Sequence, residues 1–498
     1  MKLGIDFGTT HTVVALVDRG NYPVVGFDGV DSIPSLVAAR HGDGALRFGA
    51  EAAAVRHQPG WTVLRSFKRL LDEAGLTTEV AIGPVAVPLL EVLTGCFAQL
   101  HRDLVALSNA GLTVDEPLEA AISVPATAST AQRFLTLEAF RRAGFDVKSL
   151  LNEPSAAGLE YAHRYRSTLT ERREHVVVYD LGGGTFDASL VRMSGRSHDV
   201  VATRGAKRLG GDDFDEAILA FVVEKAHLEK INENQRALLL EECARQKESV
   251  GPSARRFLVD LAPVGGGPLA IPIEEIYQSC ERLVQRTIDA VAPLLEEPGA
   301  GVSWEDVAGL YVVGGGGSFP LVARRLRERF GERRVRRSPY PFAATAIGLA
   351  AFLDGESGYT LTERLTRHFG VFREAERGGN VSFDLIFPEG TPLPKAGEPP
   401  LVASRRYCAV HNVGHLRYLE CTRMTEGRPD GDGTPWEEIL FPYDKELRDR
   451  PSLEDVRVVR TGDGPEIEET YVCGPEGGIV VTVAIPSENF SRTFALRR

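Results

Sequence analysis

One local arrangement occurs twice in this chain of 498 residues: an aspartate and a glycine-containing turn between two apolar runs. Asp6 begins one copy within "GIDFGTTHTVVALVD", and Asp180 begins the other within "VVVYDLGGGTFDASLVRM". The β-branched residues on both sides of each turn predict strands, so each turn joins a hairpin. A repeated hairpin predicts two similar lobes that face each other, with a ligand between their turns.

The two turns have a composition that suits a chain of phosphates. Backbone N–H groups converge on phosphate oxygens where glycines leave room, and each charge-assisted bond contributes about 1.5–3 kcal/mol. Bare polyphosphate would repel Asp6 and Asp180, and Mg²⁺ removes that repulsion because it takes carboxylates, waters and phosphate oxygens as ligands. The alternative, tight hairpins with incidental carboxylates, is disfavoured because the pattern occurs twice. The residues predicted to hold the phosphates are Gly8, Thr9, Thr10, Gly182, Gly183, Gly184 and Thr185.

A third glycine-rich turn, in "LYVVGGGGSFPLVARRL", follows a predicted strand and opens a predicted helix. The chain contains no GxxxxGK[ST] loop, and its two aspartate turns join strands instead of opening helices, which separates it from Walker and Rossmann proteins. As a third wall of the same site, this turn would lie near a nucleoside. Its residues are Gly314, Gly315, Gly316, Gly317 and Ser318.

Composition and charge exclude some classes of protein. The formal net charge of -12 argues against a nucleic-acid binder. The arginine-rich run between Arg324 and Arg337 contains glutamates at helical spacing, which favours a solvated helix face. We expect no secretory signal, no membrane span and reduced cysteines, and therefore a cytoplasmic protein.

The pattern of polar and apolar residues changes near Leu353. Helices are predicted before it, in "STAQRFLTLEAFRRAG", "EPSAAGLEYAHRY" and "IEEIYQSCERLVQRTIDAVAPLLEE". After it come a polar segment, "DGESGYTLTERL", and short alternating runs. The runs predicted as strands are "VSFDLIF", "HLRYLEC", "VRVVR", "IEETYVC" and "GIVVTVAI". We predict an N-terminal domain over residues 1–355, a linker over 356–367 and an antiparallel β-domain over 368–498.

These segments together resemble the DnaK-like heat-shock chaperones, the heat shock protein 70 family. The order and spacing of "GIDFGTTHTVVALVD", "FKRLL", "VVVYDLGGGTFDASLV", "RLGGDDFD" and "LYVVGGGGSFP" are similar to that family, and the block from Ala120 to Ala162 is close to diagnostic. The resemblance implies an α/β, two-lobed, actin-like ATPase fold, which is a duplicated ribonuclease H-like fold. A β-sandwich domain would follow it.

The resemblance also implies roles for single residues. Lys68 matches the lysine that contacts the γ-phosphate and the attacking water, and Glu153 matches the glutamate near the metal and water. Asp6 and Asp180 resemble the metal-side carboxylates, and Thr185 the hydroxyl near the γ-phosphate. Asp187 matches the second acid of "GGGTFD". Pro125 and Arg133 match the pair that relays the nucleotide state. Further nucleotide contacts are expected at His11, Gly210, Gly211 and Lys247.

The resemblance implies cofactors and partners as well. ATP or ADP would bind with Mg²⁺, and K⁺ is an additional candidate ion. The partners would be unfolded or extended polypeptides, a J-domain protein and a nucleotide-exchange factor, with no nucleic acid and no membrane. The β-domain would hold an extended apolar peptide by strand-edge hydrogen bonds and an apolar pocket. The resemblance does not extend to a helical lid, so quick peptide release is expected.

The sequence departs from the family pattern at several positions. Ala244, Glu248 and Gly251 stand in the adenosine helix where the family tends to carry a glutamate, an arginine and a serine. Ser318 replaces the adenine-facing arginine, and Tyr340 replaces the acid that usually follows "NP". "DGESGYTLTERL" replaces the leucine-rich linker, and Ser149 stands where an arginine would contact that linker.

Three hypotheses follow. The first is a chaperone-like ATPase, and the second is a nucleotide-gated scaffold with little hydrolysis, motivated by the altered adenosine wall and linker. The third, a small-molecule kinase of the same fold, is disfavoured by the block around "NEPSAAGL" and by the β-rich end. A competing zinc-like pattern is formed by Cys408, His411, His415 and Cys421. It fits no common zinc module, and Asn412-Val413-Gly414 is interpreted as a hairpin turn.

Overall fold

The computed structural model describes residues 1–75, 77–113, 116–296, 302–375, 379–436, 438–462 and 464–494. The chain contains both strands and helices as far as residue 362. The strands of this part are β1 (Lys2–Phe7), β2 (His11–Leu16), β3 (Ile33–Pro34), β4 (Leu36–Arg40), β5 (Leu46–Phe48), β6 (Trp61–Arg65), β7 (Glu79–Ile82), β8 (Val85–Pro88), β9 (Glu119–Val124), β10 (Asp146–Asn152), β11 (His175–Leu181), β12 (Thr185–Ser194), β13 (Ser197–Lys207), β14 (Arg256–Val259), β15 (Leu269–Pro272), β16 (Val307–Val313), β17 (Val335–Arg337) and β18 (Thr360–Thr362).

The helices lie between these strands. They are α1 (Gly49–Val55), α2 (Leu89–Ala106), α3 (Thr130–Arg142), α4 (Glu153–Tyr165), α5 (Gly211–Lys225), α6 (Glu233–Ser249), α7 (Ile273–Val291), α8 (Pro293–Glu296), α9 (Pro320–Phe330) and α10 (Ala344–Leu353). Short 3₁₀ helices include Phe67–Asp72 and Gly316–Ser318.

Two large sheets have the same construction. The first has the strand order β10-β9-β1-β2-β3, and the second begins β17-β16-β11-β12-β13. In both sheets the first two pairings are parallel and the next two are antiparallel. The predicted hairpins around Asp6 and Asp180 are therefore confirmed, and they occupy equivalent places in the two sheets. The third predicted glycine turn also has its expected context, between β16 and α9.

Each large sheet has its own apolar core. The first sheet packs against α2 and α3 through residues such as Phe97 and Phe140, whose rings stack with centroids 3.7 Å apart. The second sheet packs against α5, α6, α7 and α9. Helices cover these mixed sheets, so their central strands are apolar along most of their length.

Helices α4 and α10 meet each other at their small residues. A Cβ added at Gly348 of α10 would lie 1.8 Å from the backbone oxygen of Ala156 in α4. A Cβ added at Gly4 of β1 would lie 2.2 Å from the backbone oxygen of Ala346. Glycine is therefore required at both positions, because any side chain would push α10 away from α4 or from the first sheet.

The predicted helices are confirmed, with one difference. Ser129 caps α3 by accepting a hydrogen bond from the Gln132 backbone N–H, and Gly144 follows the helix with a positive φ of 92°. The predicted helix from Ile273 ends at Val291, and α8 follows as a separate turn. Pro293 causes this break because it lacks an N–H group for the helical ladder. Glu297, the last residue of the predicted helix, lies outside the described residues.

Residues 356–367, predicted as a linker, contact the rest of the chain extensively. Strand β18 adds to the edge of the second sheet by pairing in parallel with β13. Arg364 donates hydrogen bonds to both carboxylate oxygens of Asp199, at 3.2 and 3.1 Å, and to the backbone oxygen of Val200 at 2.7 Å. Glu363 is buried. Whether this segment acts as a linker stays a prediction.

After residue 367 the chain forms two antiparallel sheets. Their strands are β19 (His368–Ala375), β20 (Asn380–Phe387), β21 (Leu401–Cys408), β22 (Val413–Thr425), β23 (Arg428–Pro435), β24 (Ile439–Pro442), β25 (Glu466–Cys473), β26 (Ile479–Ile485) and β27 (Phe490–Phe494). One sheet has the order β20-β19-β22-β23, with β24 also paired to β22, and the other has β21-β25-β26-β27. One apolar cluster that includes Phe369, Tyr471 and Val481 joins the two sheets. Residues 376–378 and 495–498 of the predicted β-domain lie outside the described residues.

Two predictions in this region are wrong. "VRVVR", residues 456–460, is not a strand, because the side chain of Asn412 occupies its backbone groups. Asn412 Nδ2 donates to the Arg457 oxygen at 3.1 Å, and Asn412 Oδ1 accepts from the Val459 N–H at 2.8 Å. Asn412–Gly414 is not a hairpin turn either, because β21 and β22 belong to different sheets and Val413 already begins β22.

The zinc-like pattern is not assembled by the fold. His411 Nε2 lies 3.5 Å from Glu374, and His415 Nε2 lies 3.1 Å from Glu438. Cys421 is buried, whereas Cys408 is exposed. Within the described ranges, no group of three or more His, Cys, Asp or Glu residues is arranged to hold a metal ion.

The arginine-rich run has the surface character that was predicted. Arg324 pairs with Glu274 at 2.9 Å, and Arg325 pairs with Glu281 at 2.8 Å and with Glu328 at 2.6 Å. These glutamates neutralise the run locally. No helix in the described part of the chain is long and apolar enough to cross a membrane.

The contact between α4 and α10 gives a stability prediction. Gly348→Ala should lower the free energy of unfolding by about 1–3 kcal/mol, because the new methyl group overpacks the contact with Ala156. Alanine would otherwise favour a helix by about 1 kcal/mol over glycine. Urea denaturation measures the difference. Gly355→Ala is the control, since nothing lies within 4 Å of its Cβ position; an equal effect in the two variants would contradict the explanation.

Candidate functional site

The two predicted turns face each other across one cavity. Asp6 and Asp180 each occupy the next-to-last position of a strand, β1 and β11, and both line a cavity of about 770 Å³. Each turn is closed by the same hydrogen bond: Gly8 N–H donates to the His11 oxygen at 3.0 Å, and Gly182 N–H donates to the Thr185 oxygen at 3.1 Å. The sequence repeat is therefore a repeat of geometry.

The turns also pack directly on each other. A Cβ at Gly183 would lie 2.7 Å from Thr10 Cγ2, and a Cβ at Gly184 would lie 2.6 Å from Thr9 Oγ1. Side chains at these glycines would separate the turns. Glycine thus keeps two backbone turns close enough to share one anionic ligand.

The structure brings most of the predicted site residues together. Those that line the cavity are Asp6, Gly8, Thr9, Thr10, His11, Lys68, Glu153, Asp180, Gly182, Gly183, Thr185, Gly211, Lys247, Gly314, Gly315 and Gly316. Five predicted residues lie behind this lining: Gly184, Asp187, Gly210, Gly317 and Ser318. Gly210, for example, is covered by Gly183, whose oxygen would lie 2.5 Å from an added Cβ. Roles for these five in ligand contact stay predictions.

Lys68 and Glu153 form a buried ion pair at the base of the cavity. Lys68 comes from the 3₁₀ helix Phe67–Asp72, and Glu153 is the first residue of α4. Lys68 Nζ donates to Glu153 Oε1 at 2.6 Å and also to the backbone oxygen of Phe7. Burial acts to lower the pKa of Lys68, but Glu153 and Asp6 outweigh it and the pKa is raised. The lysine is therefore held as a cation.

Several buried carboxylates surround this lysine. Burial first, and then the nearby Glu153, raise the pKa of Asp6 to about 7, although Lys68 acts to lower it. Burial, and then Glu153, also raise the pKa of Asp187 to about 8 and that of Asp180 well above its ordinary value. Asp187 Oδ1 has no hydrogen-bond partner. The site thus holds more carboxyl groups than Lys68 alone can keep ionised.

This donor set fits a magnesium ion. Crowded, buried carboxylate oxygens are hard ligands, and a divalent cation would offset the burial and the repulsion that raise their pKa values. The described residues contain no group of three or more acidic, His or Cys ligands in metal-binding geometry. Asp6 and Asp180 would therefore need waters and phosphate oxygens to complete the coordination, as Mg²⁺ commonly does.

Helix α6 and the third glycine turn also line the cavity. Lys247 of α6 is buried, pairs with Asp215 at 2.8 Å and donates to the Gly211 oxygen at 2.7 Å. This lysine therefore ties α6 to the start of α5. Burial lowers the pKa of His11, which favours a neutral imidazole in the cavity lining.

Sequence reasoning missed several contacts that join the walls of the cavity. Arg56 pairs with Glu241 of α6, and Ser66 Oγ donates to Asp212 Oδ2 at 2.6 Å. Arg69 donates to the Gly184 oxygen at 3.0 Å and also pairs with Asp213. Partners in these contacts are 115 or more residues apart. No local pattern could have identified them.

A hydrogen-bond chain leads from Glu153 to the segment before β19. Arg133 of α3 donates to Asn152 Oδ1, and Asn152 directly precedes Glu153. Glu363 accepts from the Asn152 N–H at 2.9 Å and from Asn152 Nδ2 at 2.7 Å. Ser155 Oγ also donates to Glu363, at 3.2 Å. Glu363 therefore fixes the start of α4, which carries Glu153.

The later sheets contact the same region. Glu420 of β22 accepts from the Thr130 N–H, at 3.3 and 3.2 Å for its two oxygens, at the beginning of α3. Lys207 of β13 pairs with Asp432 of β23 at 2.9 Å. A carboxylate at a helix start is stabilised by the free N–H groups there. These contacts place the C-terminal sheets against α3 and β13.

The paired sheets, with an acidic glycine turn at the end of a central strand in each, define an α/β protein of the actin-like ATPase class. A family model described as "Hsp70 protein" matches residues 105–360. The chain is 32% identical over 428 residues to the chaperone protein HscA homolog of Polynucleobacter asymbioticus, and this alignment covers 80% of the present chain and 65% of that protein. It is 33% identical over 373 residues to the chaperone protein HscA homolog of Ralstonia pickettii, and this alignment covers 70% of the present chain and 57% of that protein.

The chain belongs to the Hsp70 family. Membership confirms the resemblance found in the sequence and assigns the matched region the actin-like ATPase fold. The chain spans 57% to 65% of the length of these two curated relatives. The activity, substrates and partners of the whole protein are therefore treated as proposals.

The buried carboxylates give a prediction about pH. The stability contributed by Asp187 is fully present below its unfolded pKa near 4 and is lost as pH rises through its folded pKa of about 8. Asp187→Asn should therefore gain stability relative to the unmodified chain as pH is raised from 5 to 8 in EDTA. Urea unfolding at several pH values measures this difference. Asp449→Asn, at an exposed position, is the control; a gain that did not change with pH would contradict the assignment.

Proposed function

We propose that this chain is a chaperone-like ATPase that binds and slowly hydrolyses Mg-ATP in the cavity. The observation that carries the proposal is the buried pair Lys68–Glu153, set beside Asp6 and Asp180 between two facing glycine turns. Phosphoryl transfer to water depends on positioning and charge neutralisation more than on covalent chemistry. This set of side chains supplies both. The proposal includes the two-lobed arrangement of the sheets around the cavity.

Each residue has a proposed task. The turns at Gly8–Thr10 and Gly182–Thr185 would bind phosphate oxygens by backbone N–H groups and threonine hydroxyls. Lys68 would bind the terminal phosphate and orient the attacking water, and Glu153 would hold that water by a hydrogen bond. Bound magnesium would neutralise phosphate charge, with Asp6 and Asp180 on its side of the site. Asp187, the cross-strand neighbour of Asp180, would add a second carboxyl group behind the magnesium side of the site.

The proposal includes communication with the C-terminal sheets. Hydrogen bonds join the start of α4 to residues 356–367 through Arg133, Asn152 and Glu363. A displacement of Glu153 would therefore also displace that segment. The sheets themselves contact α3 through Glu420. We therefore include coupling between nucleotide binding and the C-terminal region, and a J-domain protein and an exchange factor as partners.

The proposed ligand of the C-terminal sheets is an extended apolar peptide. Val381 of β20 and Val402 of β21 expose 56% and 62% of their surface, and each strand lies at the edge of its sheet. An edge strand offers free backbone groups to a peptide. The space between the sheets is less suitable, because the buried Glu469 of β25 forms an ion pair there with Arg373 of β19 at 2.9 Å. Edge pairing is therefore the favoured mode.

A second candidate, a nucleotide-gated scaffold that rarely hydrolyses ATP, has one observation in its favour. Lys68 Nζ is already engaged by both Glu153 and the Phe7 oxygen. If those bonds persisted with nucleotide bound, the lysine could not orient water. Calorimetric titration with Mg-ATP beside a phosphate-release assay separates the two functions: binding without release selects the scaffold.

The role of Lys68 can be tested directly. Lys68→Ala should lower the rate of phosphate release by about 10²–10³-fold, the scale of losing one preorganised charged donor. Mg-ATP binding should persist, because the glycine turns remain. Lys225→Ala is the control, since this exposed lysine pairs with Glu275 and does not line the cavity. An unchanged turnover in Lys68→Ala would remove Lys68 from the mechanism.

The proposed coupling is tested by peptide binding. Fluorescence anisotropy of a short apolar peptide should change when Mg-ATP is added. In Glu363→Ala the change should be largely lost, since Asn152 and Ser155 lose their common acceptor. Glu356→Ala, an exposed carboxylate in the same segment, should behave like the unmodified chain. A full response in Glu363→Ala would show that coupling does not pass through this residue.

A further inference from the structure

An exposed aromatic ring lines the cavity at the third glycine turn. Phe342, which precedes α10, contributes to the cavity wall and leaves 52% of its surface exposed. A single exposed apolar side chain is ordinary on a convex protein surface. A half-exposed ring in the wall of a concave site is different, because it offers a flat apolar face to whatever enters.

The ring is held in place by the glycine turn. The Gly314 N–H donates to the Pro341 oxygen at 2.9 Å, which fixes the backbone next to Phe342. A Cβ added at Gly315 would lie 2.5 Å from Phe342 Cε1 and 3.1 Å from Cδ1. Gly315 is therefore the residue against which the ring rests. The ring has a packed side and an open side.

The position of the ring relates it to the carboxylates. A Cβ added at Gly314 would lie 2.5 Å from Asp180 Oδ1, so Gly314 touches the acidic end of the cavity. Phe342 rests on the next residue of the same turn. Asp180, the third glycine turn and Phe342 therefore line one cavity, which a single ligand with phosphates at one end and a flat group at the other can occupy.

We propose that Phe342 is the stacking platform for the base of the bound nucleotide. This inference rests on the proposed function and adds the residue that contacts the base. Stacking on an aromatic face contributes about 1–3 kcal/mol per base, and it works for any base because every base has a π-face. The ligand class is a nucleoside di- or triphosphate bound through its phosphates and its aromatic base.

The chain supplies a matched comparison two residues away. Tyr340 is also 52% exposed, but it does not line the cavity, and the Arg164 guanidinium lies 5.2 Å from its ring centroid. No aromatic or cationic partner of this kind is found for Phe342 within the described residues. The face of Phe342 is thus the one left available to a ligand.

The test compares a ligand that has a base with one that lacks it. Calorimetry gives the Kd of the full chain for Mg-ADP and for Mg-tripolyphosphate. Phe342→Ala should raise the Kd for Mg-ADP about 5- to 100-fold and leave the Kd for Mg-tripolyphosphate unchanged. Phe342→Trp should retain Mg-ADP affinity, and Phe342→Leu should lose most of it. Tyr340→Ala should match the unmodified chain for both ligands.

The outcomes separate this inference from the proposed function. If the unmodified chain binds neither ligand, the proposed function fails and the inference fails with it. If the unmodified chain binds Mg-ADP and Phe342→Ala binds it equally well, only the inference is overturned. A parallel loss of both ligands in Phe342→Ala would assign the ring a structural role in the turn and would also overturn the inference.

Discussion

The burial of several carboxylates around one lysine is the constraint on which the rest of this structure depends. Removing a charged carboxylate from water costs several kcal/mol unless a partner replaces the lost hydration. Lys68 satisfies Glu153, but Asp6, Asp180 and Asp187 remain close together with raised pKa values. Such a cluster persists only if the surrounding fold is rigid enough to hold like charges together. A bound cation would neutralise these carboxylates and would itself be held by the phosphate chain, so the unfavourable burial would favour binding of both.

The rigidity comes from repeated backbone construction. Asp6 and Asp180 lie in central strands, each paired on both sides, and the turn after each strand closes through the same hydrogen bond. Between the sheets, α4 and α10 approach until backbone touches backbone at Gly348. Because the residues at this contact are small, no long flexible side chains lie between the two backbones. The two sheets are therefore connected through α10 and α4, and Glu153 is the first residue of α4.

The predictable parts of this molecule were local in sequence. The hairpins at Asp6 and Asp180 follow from patterns of fewer than 20 residues, and the structure confirms them. Features that depend on contacts between residues distant in sequence were not predicted correctly. Residues 456–460 have the alternation of a strand, yet Asn412 occupies the backbone groups that a neighbouring strand would need. Phe342 was not identified because only the fold places it on Gly315.

Glu363 shows how a polar segment can replace an apolar one. It is buried, and burial raises its pKa although Asn152 and Arg133 lower it. Three donors from Asn152 and Ser155 offset that burial, and a buried carboxylate that lost them would be strongly destabilised. Intermediate positions of the segment are therefore unfavourable: either Glu363 keeps all its donors or it returns to water. A contact with only these two arrangements would suit the coupling proposed above, which needs an element with two discrete states.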